Sequence, residues 1–577
     1  MQYTLRPDIV ENEDLFTQVM HTRKVMDISR YLNPSPKDEY SYLDLDNIDE
    51  AVSVLNYWIE NEGNIFIVID SDADGYTSAA ALINYLYLVL PQFTQDHISY
   101  TVHTGKQHGL IIDEIPHGTN LIILPDSSSS DLTQHLECVN RNIDVIVLDH
   151  HESDNAEFNT YATIVNNQLC NYPNKTLSGA GVVYKFLECL DHEWHENKAF
   201  TQIGLVSCGI IGDVMDIRNF ETNYIIREGI KHYNANPFLK AALKKNEYFF
   251  NMNGLNITSV AFYIVPLING CIRMGSQEEK ITLFESMLLF KGNELVPSTK
   301  RGAKKGDTEI MADQAVRISS NLKNKQNKLR DSYLNDINQI ITSNNLLNDY
   351  KILFICLEKL DKNLTGLIAN KVANLYQRPT LIVQKTENDT YAGSGRNFSN
   401  SPIEDFKDLC AQCGASLAQG HKSAFGFAIP IQNKELFLQK SNEYLKDINM
   451  AQSYFVDKIF QEDNIDINGI LDVGTAINLW GQGLEEPIFA FEKIIVTQDN
   501  CSLLSPDRHP TLKINANNLE FIKFQAESDF HNIYPSEFGA TEVTFIGTAS
   551  VNEWGGRMNP QIKILDYHIT DRKEVYF

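Results

Sequence analysis

Three short apolar runs, each leading into acids, constrain this chain more than any other feature. Asn64–Ile69 (NIFIVI) leads into Asp70-Ser71-Asp72-Ala73-Asp74-Gly75, Leu121–Leu124 (LIIL) into Pro125 and Asp126, and Val145–Leu148 (VIVL) into Asp149-His150-His151. Apolar runs of this length without polar alternation suit strands covered on both faces. Helical stretches separate them, the most apolar from Ser78 to Leu90, and Thr163–Val165 offers a fourth strand. The alternation predicts an α/β fold whose parallel sheet carries helices on both faces. Open parallel sheets bind ligands at the C-terminal ends of their strands. Asp70, Asp72, Asp74, Asp126, Asp149, His150 and His151 are therefore expected to converge on one crevice.

A further acid, Asp213, lies in the apolar stretch IGLVSCGIIGDVMD. A carboxylate buried there needs a partner or a cation. Aspartates crowded into one crevice repel one another and hold raised pKa values unless divalent ions join them. Oxygen ligands with imidazole suit manganese or magnesium better than zinc. Two such ions sharing one carboxylate form a clamp for phosphoryl transfer. DSDADG also opens like an EF-hand calcium loop, but the twelfth residue from Asp70 is Ala81 rather than glutamate, and a strand precedes the loop, so that reading is set aside.

The 577 residues suggest about three or four domains at ~150 residues each. Hydrophobic residues at 43% and charged residues at 21% exclude collagen-like, disordered and coiled-coil classes. The net charge of −26 requires that any nucleic-acid partner meet a local basic track on an acidic body. No apolar run is expected to reach the roughly 18 to 20 residues of a membrane helix. The N-terminal MQYTLRPDIVENEDL lacks the order of a signal peptide. Nine scattered cysteines, an odd number, point to free thiols and a cytoplasmic location. The one CxxC, Cys410 and Cys413, falls in a helical pattern and reads as two half-buried thiols rather than a zinc or redox pair.

By pattern the chain divides into an N-terminal extension (1–60), a first α/β domain (61–235), a helical connector (236–345), a second α/β domain (346–450) and a C-terminal β-barrel (451–577). Residues 307–345 contain neither glycine nor proline and carry Ala315, Ile318, Leu322, Leu329, Tyr333, Ile337 and Ile340 at helical spacing, which predicts one helix about 57 Å long. Lys300, Arg301, Lys304 and Lys305 lie just before it, either a solvated face or a surface that tracks a nucleic-acid backbone. The second α/β domain has strands at Ile352–Cys356 and Thr380–Val383, a loop at Ala392–Phe398 (AGSGRNF) and a turn at Gln419–Lys422. Short strands at 488–491, 494–497, 511–514, 541–548 and 561–569 suggest the barrel.

The order DSDADG, PDSSSSD, DHH, GDVMD resembles the four motifs of the DHH phosphoesterase superfamily. PLINGCIRMGS (266–276) is similar to the PRLNAAGRMGD stretch of the RecJ-type single-stranded-DNA exonucleases. GLIANKVANLYQRPTLIV, GSGRN and QGHKSAFGF resemble the DHH-associated domain, whose usual signature is GGHxxAAG. VNEWGGRMNPQIKILDY (551–567) resembles the end of the RecJ OB-type barrel. The resemblance spans residues 60–577. Lys106-Gln107-His108-Gly109-Leu110 replaces the family's arginine and EGYGL-like run, Gln419 replaces the first glycine of GGH, and PDSSSSD is an unusual second motif, so the chain reads as a divergent member.

The resemblance implies a DHH domain, a long connecting helix, a second α/β DHH-associated domain and an OB-like barrel. It implies metal ligation by Asp72, Asp74 and Asp126, with Asp70 as an additional ligand, Asp126 bridging two manganese (or magnesium) ions, and His150 and Asp213 completing the second site. Asp149 would orient the histidines and His151 would face the scissile phosphate. Arg273, Ser394, Arg396, Gly420 and His421 would grip the strand. Phe521, Phe524, Tyr534 and Trp554 in the barrel are candidates for base stacking or for its core. The implied activity is metal-dependent hydrolysis of single-stranded DNA from the 5′ end, in repair or recombination, by a monomer without membrane attachment, alongside a single-strand-binding or helicase partner. A phosphodiesterase for short oligoribonucleotides or cyclic dinucleotides and a non-catalytic binding scaffold are the alternatives.

Overall fold

The computed structural model describes residues 1–7, 13–105, 107–153, 159–357, 360, 364–399, 401–450, 453–536, 539–554 and 557–574, excepting the side chains of 252, 253, 554 and 574. The chain forms two compact units. One comprises residues 23–324 and 476–486, the other 1–22, 325–475 and 487–577. The first sixty residues thus contribute to both.

The sheet of the first unit contains five strands, all parallel, in the order Ile98–Val102, Asn64–Ile69, Thr119–Pro125, Asp144–Asp149, Thr163–Asn166. Four match the apolar runs. Ile98–Val102 has no counterpart among the expected strands, because ISYTV at a sheet edge carries only weak apolar signal. The chain steps outward from Asn64–Ile69 to Ile98–Val102, then returns to Thr119–Pro125 on the other side. That reversal opens a crevice between the C-terminal ends of Asn64–Ile69 and Thr119–Pro125. Asp70 and Asp126 are the next residues of those two strands.

One sheet face packs Phe66, Val68, Ile122, Leu124, Val145 and Val147 against Leu110, Cys138 and Ile143. The helices Ala73–Val89, Gly179–Trp194 and Ile203–Gly212 are buried almost all round. This explains the absence of polar alternation in their sequences. Contrary to expectation, Ile257–Met274 passes for a membrane span by length and mean hydropathy (1.5). It is 56% buried and broken into Ile257–Tyr263 and Val265–Met274.

The long helix runs Met311–Ser343, 33 residues and about 50 Å, rather than 307–345. Thr308–Ile310 is instead a strand paired with Leu295–Pro297. The helix begins in the first unit and ends in the second.

In the second unit a five-stranded sheet has the order Leu417–His421, Ala424–Pro430, Thr390–Arg396, Thr380–Lys385, Leu353–Cys356. In sequence AGSGRNF and QGHK read as loop and turn. Ala392–Arg396 is instead part of the central strand, and Gln419–His421 ends the edge strand. Glycine signals a turn in sequence, but here Gly393 lies close under a neighbouring strand, where a Cβ would come within 2.0 Å of the Ile382 carbonyl oxygen. Cys410 and Cys413 end the helix Phe406–Cys413, buried and unpaired.

A seven-stranded mixed sheet follows, ordered Lys458–Gln461, Ile488–Val496, Gly539–Trp554, Arg557–Glu574, Leu519–Phe524, Thr511–Ala516, Cys501–Leu504. The two expected strands at 488–491 and 494–497 are one, interrupted by a bulge between Phe491 and Ile494, with Lys493 at φ 58°. Gly539–Trp554 and Arg557–Glu574 are far longer than the sequence suggested. Gln2–Leu5, expected in a helical and loop region, pairs in parallel with Ser453–Val456. Phe521 is core and Phe524 is exposed, while the side chain of Trp554 lies outside the described residues, as does Lys106.

Candidate metal centre

Each acid of the crevice is positioned by a strand end or a helix terminus. Asp70 follows its strand directly and is buried. Asp72 caps the helix Ala73–Val89, its carboxylate accepting from the Gly75 amide at 3.0 Å, as an N-cap aspartate should. Asp74, in the first turn, is fully buried. Its Oδ1 accepts from Ser178 Oγ (2.9 Å) and the Ala180 amide (3.2 Å) at the start of Gly179–Trp194. Asp126 continues the ladder through its amide to the Leu148 carbonyl (2.8 Å), then turns at φ 67°.

Two glycines permit this crowding. A Cβ at Gly179 would lie 2.4 Å from Asp126 Oδ1, and one at Gly209 2.3 Å from Asp74 Oδ1. The helices holding them can approach the carboxylates only because they lack side chains there.

The ligand-type atoms fall into three overlapping groups, each within 4.8 Å: Asp70, Asp72 and Asp126; Asp74, His150 and Asp213; Asp126, His150 and His151. His150 Nε2 stands 3.2 Å from Asp126 Oδ1 and 3.5 Å from Asp213 Oδ2. Among the described residues, Asp74 Oδ2, Asp126 Oδ1 and His150 Nε2 nonetheless have no hydrogen-bond partner, though all three are buried. Buried acceptors converging with no donor between them are what a cation would satisfy, and oxygen with imidazole is a donor set for a hard or borderline divalent ion.

The electrostatics agree. Burial, with Asp74 and Asp72 adding repulsion, holds Asp126 well above the usual carboxylate range. Burial and Asp72 push Asp74 up to about 6, and burial with Asp74 raises Asp213 to about 8. Burial and the adjacent His151 push His150 down to about 4, so its imidazole is neutral and fit to ligate.

Asp149 differs in kind. Burial would raise it, but hydrogen bonds outweigh burial and bring it down to about 2. Its Oδ1 accepts from His151 Nδ1 (2.7 Å) and the His150 amide (2.7 Å), its Oδ2 from the Ser129 amide (3.0 Å). It organises the two histidines from behind. The bond to Asp149 raises His151 to about 9, and that ring is 58% exposed.

Three residues differ from expectation or escape it. Asp213 is not inside a buried helix. It caps the C-terminal end of Ile203–Gly212, with 30% of its side chain exposed. His108 falls in a stretch that departs from the family run, yet its Nδ1 lies 2.6 Å from Asp70 Oδ2. Ser129, within the unusual PDSSSSD, supplies the amide on Asp149 and a hydroxyl that accepts from Asn166 Nδ2 at 2.9 Å. Neither contact has a signal in sequence, since His108 follows Ile98–Val102, a strand that the apolar pattern does not reveal, and Ser129 acts through its backbone amide.

Arg273 ends the helix Val265–Met274, half-buried and near enough to Asp72 to feel its charge. Ser394, Arg396, Gly420 and His421 belong to the second unit, where the sheet brings them together. Arg396 pairs with Ala424, and Ala424 with His421. Ser394 Oγ lies 2.9 Å from Thr365 Oγ1, and Arg396 Nη1 donates to the Gly395 carbonyl at 2.7 Å. In a loop, the small residues beside Arg396 would leave their amides free to meet a phosphate. Gly393, Ser394 and Gly395 instead lie in a strand paired on both sides, so the sheet takes up their backbone groups.

Comparison with known proteins bears on the fold and the family. The model of the DHH family, N-terminal domain, matches residues 64–210, and that of the RecJ OB domain matches 456–566. The SPbeta prophage protein YorK of Bacillus subtilis (strain 168), which carries the provisional name of a single-strand DNA-specific exonuclease, is 35% identical over 586 aligned positions spanning all of both chains. The single-stranded-DNA-specific exonuclease RecJ of Bacillus subtilis (strain 168) is 21% identical over 94% of this chain and 66% of its own length. Among solved structures, RecJ of Thermus thermophilus in complex with Mn2+ superposes with a TM-score of 0.74 at 19% identity, covering 99% of this chain and 80% of that one. The chain belongs to the DHH family, as a divergent member of its RecJ-like branch.

Proposed function

We propose that this chain is a divalent-metal-dependent exonuclease that hydrolyses the phosphodiesters of single-stranded DNA from the 5′ end, with manganese as its preferred ion and magnesium as second choice. The observation that carries the reading is the convergence of Asp74 Oδ2, Asp126 Oδ1 and His150 Nε2, buried and without hydrogen-bond donors among the described residues, at the switch point of a parallel sheet. Asp72, Asp74, Asp126, His150 and Asp213 would hold two ions, with Asp126 shared between them and Asp70 adding a further oxygen. Such ions lower the pKa of a water and stabilise charge on the attacking and leaving oxygens. Relatives named as single-strand DNA-specific exonucleases and RecJ structures solved with Mn2+ and with Mg2+ support the substrate and the metal class.

The protein's own groups do the rest. Asp149 holds His151 through Nδ1, leaving Nε2 for a substrate phosphate. His151 is cationic at neutral pH and suits an anionic partner. Arg273 adds a planar cation beside Asp72. Arg396 and His421 of the second unit would contact the strand backbone, which positions a strand without reading its bases. All nine cysteines are free, which accords with a reducing cytoplasm, and a single-stranded-DNA substrate accords with a role in DNA repair or recombination.

The test uses purified protein with manganese on 5′-labelled and 3′-labelled single strands and on pApA. Release of 5′ label first, dependent on metal, supports the proposal. Hydrolysis of pApA alone would replace it with a small-nucleotide phosphodiesterase.

A further inference from the structure

The chain carries a net charge of −26, so a polyanion can approach only where cations are gathered. One such place lies outside the metal centre. Leu295–Pro297 and Thr308–Ile310 pair antiparallel as the stem of a hairpin, and residues 299–308 are exposed throughout. Its loop carries Lys300, Arg301, Lys304 and Lys305 against the single acid Asp307. Lys300 Nζ lies 3.5 Å from Glu309 Oε2 at the base. Among the described residues, Arg301, Lys304 and Lys305 form no ion pair.

The stem is fixed while the tip is open. Glu309 Oε1 is buried and accepts from Arg317 Nη2 (2.6 Å), Gln314 Nε2 (3.0 Å) and the Thr299 amide (3.0 Å), tying the hairpin to the start of the long helix. At the tip Gly302 and Gly306 have φ of 87° and 101°, and a Cβ at either would meet nothing within 4 Å. Among the described residues, none covers the tip. The chain also enters the hairpin from a point away from the acids. The segment leading to it is held by the Leu289 amide on Asn84 Oδ1 (2.7 Å), and Asn84 lies twelve residues, about 18 Å, along the helix that starts beside Asp72.

We propose that this hairpin binds the sugar-phosphate backbone of the single strand at nucleotides away from the one being cleaved, a second contact that offsets the repulsion of an acidic chain. The inference rests on the nuclease reading for the identity of the polyanion. Flexible cations on an exposed turn suit phosphates, which need charge but no fixed base geometry.

The experiment measures binding of a 40-mer single strand in an Asp126→Ala background, so that no strand is consumed, as ionic strength rises from 50 to 200 mM. It compares the intact hairpin with Arg301→Gln/Lys304→Gln/Lys305→Gln, which spares Lys300 and the stem. Three lost phosphate contacts should flatten the salt dependence by about 2 in log–log slope. Over that fourfold range the intact hairpin should therefore lose about twentyfold more affinity than the variant. The charge-preserving Arg301→Lys/Lys304→Arg/Lys305→Arg should keep the full slope. Should the triple Gln variant fail to fold, the single variants should each remove about a third of the effect. Equal slopes for the intact and Gln hairpins overturn the inference while leaving the nuclease reading intact. A change in self-association with no change in slope also overturns it. If the protein with Asp126 intact and manganese present neither binds nor hydrolyses a single strand, the nuclease reading itself has failed.

Discussion

Asp126 and Asp149 end neighbouring strands, are equally buried, and titrate in opposite directions. Asp126 faces other carboxylates and is held high, whereas Asp149 faces donors and is brought down to about 2. Their substitutions should therefore separate. Asp126→Ala removes an acceptor at the meeting point of the ligand groups, so manganese binding by calorimetry and hydrolysis should both disappear. Near wild-type hydrolysis would refute the shared-ligand assignment. Asp149→Asn keeps the shape but weakens the hold on both histidines, and should cost about 10–100-fold in activity or metal affinity. A loss as complete as that of Asp126→Ala would mean that Asp149 is itself a ligand. At this scale the acids were legible in sequence because each closes an apolar run. His108 was not, since its reach to Asp70 depends on a loop whose path no periodicity encodes.

Among elements, the helix Gly179–Trp194 has two tasks. Its N-terminus meets Asp74 and Asp126, and its middle buries Lys185, whose Nζ lies 2.8, 2.9 and 3.0 Å from carboxylates of Glu39, Glu188 and Glu221. Burial alone would lower that ammonium, but the three acids more than offset it and hold it raised. Lys185→Met leaves those acids uncompensated, and about 3–5 kcal/mol should be lost in urea unfolding. Adding Glu221→Gln should recover part of it, and a neutral Lys185→Met would show that the network contributes nothing. Gly209→Val should disturb the opposite wall of the site, since its Cβ would strike Asp74. Overpacking of this sort costs about 1–3 kcal/mol, and metal binding should weaken with it. The buried strands and helices were legible because burial on all sides leaves continuous apolar runs, and the long helix because one buried face leaves a helical period. The strand Thr390–Arg396 was not, because its glycines serve close strand contact and read as a turn.

For the whole molecule, the raised acids tie stability to pH and to metal. Carboxylates in the unfolded chain titrate near about 4. In the metal-free fold Asp74 is raised to about 6, Asp213 to about 8, and Asp126 also stands above the usual range. Between these limits the folded chain holds protons that the unfolded chain has released. The stability these groups contribute is complete below about pH 4 and is lost as pH rises through 6 and then 8. Bound metal requires the deprotonated ligands, so its affinity should rise over the same range, and binding should release protons. The expected result is a gain in melting temperature on adding saturating manganese to chelator-treated protein that grows steadily from pH 5.5 to 8.5. Measuring the gain, rather than either melting temperature alone, cancels titrations elsewhere in the chain. In Asp213→Asn the part of the rise nearest pH 8 should shrink. A gain that is constant or that falls with pH would mean these carboxylates do not act together on one metal centre.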